Sequence, residues 1–131
     1  MKRSAAEKKL NIRRQQVVLE VCSVGKTNLV IAEFSTIPVG NGETSVGRYV
    51  AAAVQAFKSI EGLEYEVTAM GTVLAAKDLD TILAAVKQAH EAVVAMGAKR
   101  VESTLRIDDR RDKPRAVGDK VKAVKEYLKQ A

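Results

Sequence analysis

LVIAEFSTI, residues 29–37, is the stretch that decides the fold of this 131-residue chain. β-Branched residues dominate it, and it ends at Pro38, which cannot donate a hydrogen bond to a neighbouring strand. The turn Gly40-Asn41-Gly42 follows directly. The pattern therefore predicts a β-strand that opens a domain spanning residues 28–131.

Helical and extended patterns alternate after this strand. Thr44 or Ser45 would cap a helix that stops at Gly62. The apolar face of that helix comprises Val46, Val50, Ala53, Val54 and Phe57. Residues 65–70 and 72–75 predict two short strands, with a tight hairpin or a bulge near the intervening glycine.

The second half of the chain continues this alternation. Asp78 would cap a second helix, and Gly97 would end it in a left-handed turn. Residues 101–107 alternate apolar with polar side chains, as a half-buried strand does. A last helix is expected after the polar stretch 108–115. Its apolar positions are Val117, Val121, Val124 and Leu128.

The order β-α-β-β-α-β followed by α predicts an α+β protein of the ferredoxin-like, split βαβ type, with two helices on one face of an antiparallel sheet and an additional C-terminal helix. Alternation along the first strand turns Val30, Ala32 and Phe34 toward the helices. The other face would carry Leu29, Ile31, Glu33, Ser35 and Ile37. Because apolar side chains there need cover, we expect a second subunit on that face.

The basic residues concentrate at the N-terminus. Residues 1–27 hold seven Lys or Arg against two Glu, which accounts for +5 of the net charge of +6. Ser4-Ala5-Ala6-Glu7 and the apolar spacing predict a helical extension over 1–27, with a strand from Val17 to Val24 as the alternative. The extension has no aromatic residue on which a base could stack, so nucleic-acid binding is not expected.

Several classes of site are not expected in this sequence. Cys22 is the single cysteine, so it cannot form an internal disulfide and is expected to be a plain thiol, and no Cys/His cluster could bind zinc. No apolar run approaches the roughly 18 residues needed to cross a bilayer, and no signal peptide follows the basic N-terminus. We therefore expect a cytoplasmic protein without a cofactor, a metal or a membrane contact.

Four motifs, in order, resemble the YkoF-like thiamine-binding family. They are residues 30–40, then Thr44-Ser45-Val46 with Tyr49-Val50, then Met70-Gly71-Thr72-Val73, and Arg100-Val101 with residues 107–112. The resemblance spans about residues 29–129. It implies a ferredoxin-like fold, dimers and tetramers, and a pocket for thiamine or its hydroxymethylpyrimidine moiety. Residues 1–27 lie outside it and depart from the family pattern.

The resemblance directs attention to polar residues around the first strand. Glu33 and Ser35 would hydrogen-bond an aminopyrimidine and offset the charge of a thiazolium, or else make polar contacts between subunits. Gly40, Thr44 and Ser45 lie at a helix start, where free N–H groups favour a phosphate or hydroxyl, although a plain loop and cap is the alternative.

Other candidates lie around Gly71 and in the first helix. Thr68, Met70 and Thr72 surround the glycine, where side chains can point into a cavity, although Met70 suits core packing equally well. Tyr49 would close the pocket from the side, although an aromatic residue at its position more often joins the core.

Two features that invite a catalytic or metal assignment have simpler interpretations. His90 lies between Val86 and Val93 on an apolar stripe, which indicates a structural role. The alternating charges of residues 108–113 are expected to pair with each other or with a neighbouring subunit. The sequence thus offers no catalytic residue and no metal ligand.

We therefore expect a protein that is not an enzyme and binds thiamine or a related hydroxymethylpyrimidine compound as a homo-oligomer. The open sheet face and the loop after the first strand would form the pocket, which oligomerisation completes. Two alternatives remain open. One is a structural or regulatory oligomer without a small ligand, and the other is an acylphosphatase-like hydrolase on the same fold, for which Arg48 is the only base near residues 40–45.

Overall fold

The computed structural model describes residues 28–131, which form one antiparallel sheet and three helices. The elements are β1 (Val30–Pro38), α1 (Gly47–Phe57), β2 (Glu64–Val67), β3 (Thr72–Ala76), α2 (Leu79–Ala95), β4 (Val101–Asp108) and α3 (Asp119–Gln130). The strand order across the sheet is β2-β3-β1-β4. This confirms the ferredoxin-like α+β arrangement with an additional C-terminal helix. The predictions for residues 1–27, including Cys22, lie outside the described residues.

The core fills the space between α1, α2 and one face of the sheet. Its largest fully buried side chains are Phe34, Phe57, Leu74, Ile82 and Val93. The rings of Phe34 and Phe57 meet edge to face, with centroids 6.1 Å apart and planes at 76°. Both phenylalanines of the chain therefore lie at the centre of the packing.

β1 is a central strand whose two faces differ as expected. Val30, Ala32, Phe34 and Thr36 are buried toward the helices, while the residues between them are half-buried or exposed on the other face. Leu29, which the alternation assigns to the open face, is only 7% exposed and lies outside the core cluster beneath the helices.

The start of α1 differs from the prediction. Thr44 and Ser45 are exposed and neither caps the helix, because the N-cap residue is Val46 and no side chain accepts a cap hydrogen bond. The Val46 carbonyl accepts from the N–H groups of Tyr49 and Val50 at 3.0 and 3.1 Å. The helix starts where its buried face meets the sheet, so packing overrides the local capping signal.

Three other element boundaries also differ from the predictions. α1 ends at Phe57, well before Gly62, and β2 ends at Val67 because residues 68–71 form the turn to β3. The regular β2–β3 register supports the hairpin and not the bulge. α3 begins at Asp119, after the first apolar residue assigned to it.

The two predicted ends of α2 are confirmed. The carboxylate of Asp78 accepts a hydrogen bond from the Thr81 N–H at 2.7 Å, and Gly97 adopts a φ of +93°. The Asp78 bonds to Thr81 hold the pKa of that carboxyl below its usual value.

Candidate functional site

A cavity of about 200 Å³ lies between β1, α1 and the turn from β2 to β3. Val46, Val50 and Val54 form its wall on the helix side, with Phe57 at its inner end. The polar residues in the wall are Ser35, Thr36, Thr68 and Thr72. The cavity is thus mostly apolar with a few polar groups, which is the usual character of a small-molecule pocket.

The cavity exists because β1 is longer than β3. The β1–β3 pairing ends at Phe34 opposite Thr72, while β1 remains paired with β4 as far as Pro38 opposite Val101. Residues 35–38 therefore have no strand partner on the β3 side. The cavity occupies the space that a longer β3 would fill.

The turn from β2 to β3 forms the rim of this cavity. The N–H and the hydroxyl of Thr68 both donate to the carbonyl of Gly71, at 2.8 and 2.9 Å. Met70 at the tip is 85% exposed and Val67 beside it is 54% exposed. Gly71 is pressed against β1, since a Cβ there would lie 2.9 Å from the carbonyl oxygen of Phe34.

The structure brings together four of the candidate residues at this cavity. They are Ser35, Thr68, Met70 and Thr72. Of these, Ser35 lies on β1 with its side chain directed to the open face of the sheet, and it is paired with Thr104 of β4.

The remaining candidates lie elsewhere. Glu33 is on the open face, where its side chain is 45% exposed and lies 3.5 Å from a guanidinium nitrogen of Arg106. Gly40, Thr44 and Ser45 are exposed between β1 and α1 and do not line the cavity. Tyr49 belongs to the core, with an exposed fraction of 4%.

Thr36 and the three valines on the helix side of the wall were not among the candidate site residues. Thr36 alternates with Ala32 and Phe34 on the helix-facing side of β1 and is only 5% exposed. A hydroxyl on a predicted buried face was the available signal, because buried polar groups are uncommon and need partners. Val46, Val50 and Val54 gave no such signal, since apolar residues on the inner face of a helix are typical of ordinary core packing.

The hydroxyl of Thr36 belongs to a chain of hydrogen bonds. Ser103 on β4 donates to Thr36 Oγ1 at 2.8 Å, and His90 Nδ1 on α2 lies 2.7 Å from Ser103 Oγ. His90 therefore connects α2 to the sheet, as the structural interpretation predicted. The chain of bonds also fixes Thr36 in position next to the cavity.

The charged residues between β4 and α3 pair with each other, as predicted. Arg110 forms two hydrogen bonds with Asp112, at 2.6 and 2.8 Å, and lowers the pKa of that carboxyl to about 2. Arg111 pairs with Asp109 at 2.8 Å, and this hydrogen bond raises the pKa of the guanidinium. Among residues 28–131, no cluster of three His, Cys, Asp or Glu side chains could hold a metal ion.

No helix within residues 28–131 combines the length and the apolar character that a membrane span requires.

Comparison with known proteins places these features in a family. The sequence model of the family described as "Thiamine-binding protein" matches residues 32–125, which include most of β1, the residues that line the cavity and the first part of α3. The chain belongs to this thiamine-binding protein family.

The chain is similar to proteins from several other organisms. A UPF0045 protein of Methanothermobacter thermautotrophicus is 52% identical over 100 residues, which is 76% of this chain and 100% of the relative. A crystal structure of a hypothetical protein from Methanocaldococcus jannaschii has a TM-score of 0.68 and 46% identity, covering 76% of this chain and 99% of that chain. A Bacillus cereus domain of unknown function has a TM-score of 0.63 and 32% identity, covering 72% and 88%.

Proposed function

We propose that this protein binds thiamine or a related hydroxymethylpyrimidine compound, without covalent chemistry, in the cavity beside β1. The observation that carries the proposal is the cavity itself, in which Ser35, Thr68, Met70 and Thr72 meet around apolar walls. Membership of the thiamine-binding protein family supports the same ligand class. A protein that holds such a ligand without reacting with it would sequester or deliver it.

The size of the cavity indicates which part of the ligand enters. At about 200 Å³ it is smaller than the ~300–1,000 Å³ typical of pockets for drug-sized ligands, so it suits one ring and not two. The pyrimidine ring would lie inside, and the thiazolium of thiamine would extend toward Val67 and Met70 at the rim. The thioether of Met70 is adaptable and suits contact with a flat ring.

We propose that Glu33 interacts with that second ring. Its Cγ lies 3.5 Å from where a Cβ on Gly71 would be, so the side chain runs along the outside of the rim. Its carboxylate would attract a thiazolium that emerges there. Because the group is half exposed, we expect the attraction to be modest.

We also propose that the protein works as a dimer or tetramer in the cytoplasm. Ile37 on the open sheet face is 43% exposed, and Val121, Val124 and Leu128 on α3 are between 56% and 70% exposed. Such apolar surface supports a second copy as its cover. In that assembly, the loop with Gly40, Thr44 and Ser45 would contribute to the pocket from the neighbouring subunit.

Calorimetric titration with thiamine, hydroxymethylpyrimidine and thiamine phosphates tests the proposal. Val50→Phe fills the cavity and should weaken binding at least tenfold. Val94→Phe, on the exposed side of α2, is the matched control and should bind like the unchanged protein. The absence of binding heat with every compound would contradict the proposal.

The variant Glu33→Ala distinguishes the contributions of the two ligand rings to the binding affinity. It should weaken thiamine binding by up to about fivefold, from an exposed charge interaction of ~1 kcal/mol or less, and leave hydroxymethylpyrimidine binding unchanged. Glu102→Ala is the control, since Glu102 lies on the same sheet face opposite Ile37. Equal weakening of the binding of both ligands would instead show that Glu33 maintains the shape of the site.

The hydrolase alternative has little support at the loop before α1. The guanidinium of Arg48 is held by Glu43 at 2.6 Å and also donates to the Tyr49 hydroxyl at 2.8 Å. An anion would have to displace that carboxylate. Turnover of an acyl phosphate, lost in Arg48→Ala, would revive this function.

A further inference from the structure

The main chain of β1 shows which way its peptide groups point beside the cavity. In an antiparallel strand between two neighbours, successive residues direct their N–H and C=O to alternate sides. The Val39 N–H donates to the Arg100 carbonyl at 2.8 Å, which is on the β4 side. Thr36 is an odd number of residues away, so its N–H and C=O point to the β3 side.

A second contact supports this direction independently. A Cβ on Gly71, at the start of β3, would lie 2.9 Å from the carbonyl oxygen of Phe34. The Phe34 carbonyl therefore points toward β3. Thr36 is two residues further along the same strand and must point the same way.

The main-chain groups of Thr36 therefore face the cavity and not another strand. The pairing with β3 ends at Phe34, and Thr36 lines the cavity. A buried main-chain donor and acceptor without partners is costly, so these groups need water or a ligand. The residue itself is only 5% exposed, so these groups have little contact with bulk solvent.

The side chain of Thr36 holds this peptide in place. Its hydroxyl accepts from Ser103, which in turn contacts His90 on α2. Both β4 and α2 thus fix the position of Thr36 before any ligand arrives. A recognition group that is already ordered loses little entropy when it binds.

We propose that the main chain of Thr36 recognises a planar heterocycle through a donor–acceptor edge, its N–H donating to a ring nitrogen and its C=O accepting from an adjacent amino group. This inference rests on the proposed function and assigns its specificity to one residue. The ligand class is an aminopyrimidine or another ring with an amidine edge. Such a ring would lie in the plane of the sheet, where β3 would otherwise continue.

Three thiamine compounds test the inference by titration. Oxythiamine carries oxygen in place of the pyrimidine amino group, which reverses the donor and acceptor of that edge, and it should bind at least tenfold more weakly than thiamine. Pyrithiamine keeps the aminopyrimidine and changes only the other ring, so it is the control and should retain most of the affinity.

The outcomes separate the two proposals. Equal affinity for thiamine and oxythiamine would overturn the role of Thr36 while leaving the proposed function intact. A lack of binding by all three compounds and by hydroxymethylpyrimidine would overturn the proposed function together with the inference.

Amide NMR gives a direct test with hydroxymethylpyrimidine as the probe. The Thr36 N–H signal should move downfield on saturation, because this group gains a hydrogen bond. The Val39 N–H, already bonded to Arg100, should move little and serves as the control. A Thr36 signal that does not move when other cavity amides do would overturn the inference.

Discussion

Gly71 marks the closest approach between the β2–β3 turn and β1. Gly71→Ala should lower the free energy of unfolding by about 1–3 kcal/mol, because the new methyl group would lie 2.9 Å from the Phe34 carbonyl oxygen and the main chain would have to shift. Urea unfolding measures the change. Gly47→Ala is the control, since a Cβ there meets nothing within 4 Å, and it should be neutral or slightly stabilising.

Ser103 is the middle of the chain of hydrogen bonds from α2 to β1. Ser103→Ala should cost about 1–3 kcal/mol of unfolding free energy, because Thr36 and His90 each lose a partner in a part-buried place. Thr104→Ala, at the adjacent exposed position of β4, should change stability much less. Equal losses in the two variants would show that the chain of bonds contributes nothing specific.

The same contacts bear on which ring nitrogen of His90 carries the proton. A proton on Nδ1 would donate to Ser103 Oγ and leave the Ser103 hydroxyl to donate to Thr36 Oγ1, whereas a proton on Nε2 would make Ser103 the donor to His90. We expect ¹⁵N NMR of the imidazole to show Nδ1 protonated in the folded protein. A neutral ring protonated only at Nε2 would reverse the direction of the chain of bonds.

The cap of α2 gives the stability of the protein a pH dependence. The Asp78 carboxyl has a pKa below that of an unfolded chain, about 3.9, because it accepts hydrogen bonds from Thr81. Its contribution is therefore complete above about pH 4 and is lost as the pH falls through the folded value. Asp78→Ala should lower the melting temperature by a few degrees at pH 7 and by less at pH 2.5.

A matched variant checks this prediction. Asp80 lies in the same first turn of α2 but is not the cap residue. Asp80→Ala should change the melting temperature less than Asp78→Ala at pH 7. If the loss in Asp78→Ala were the same at both pH values, the cap would not be the source of the effect.

The elements differ in how well the sequence predicts them. β1 and α2 have strong local signals, namely a β-branched run ended by Pro38, and a cap and a left-handed turn at Asp78 and Gly97. The start of α1 is not determined by its local sequence, because the position of Val46 depends on how the helix packs against the sheet. Local chemistry therefore predicts the element order well and the boundaries less well.

The cavity could be predicted only in part, for a related reason. Thr68, Met70 and Thr72 were found because a glycine break draws attention to its neighbours. Thr36 could not be predicted in this way, because its contact with the cavity depends on where β3 ends opposite β1. That register is a contact between distant parts of the chain, which no local pattern specifies.

In the proposed oligomer, we expect α3 to be a contact surface. α3 has no buried residue, and its apolar positions are exposed. Replacing Val124 and Leu128 together by Glu should therefore reduce the oligomer mass measured by light scattering, with little change in the melting temperature of the domain. Lys125→Glu, which alters charge on the same helix, is the control. An unchanged oligomer mass would show that α3 is not part of the interface.

The unequal lengths of β1 and β3 have a consequence for the size of ligand that this architecture accepts. Two residues inserted beside Met70 would extend the hairpin, place a new residue opposite Thr36 and occupy the space now left open. Shortening the hairpin would enlarge that space along the same strand. Proteins built on this sheet can therefore select smaller or larger rings by changing the length of one turn, while the core beneath the helices stays the same.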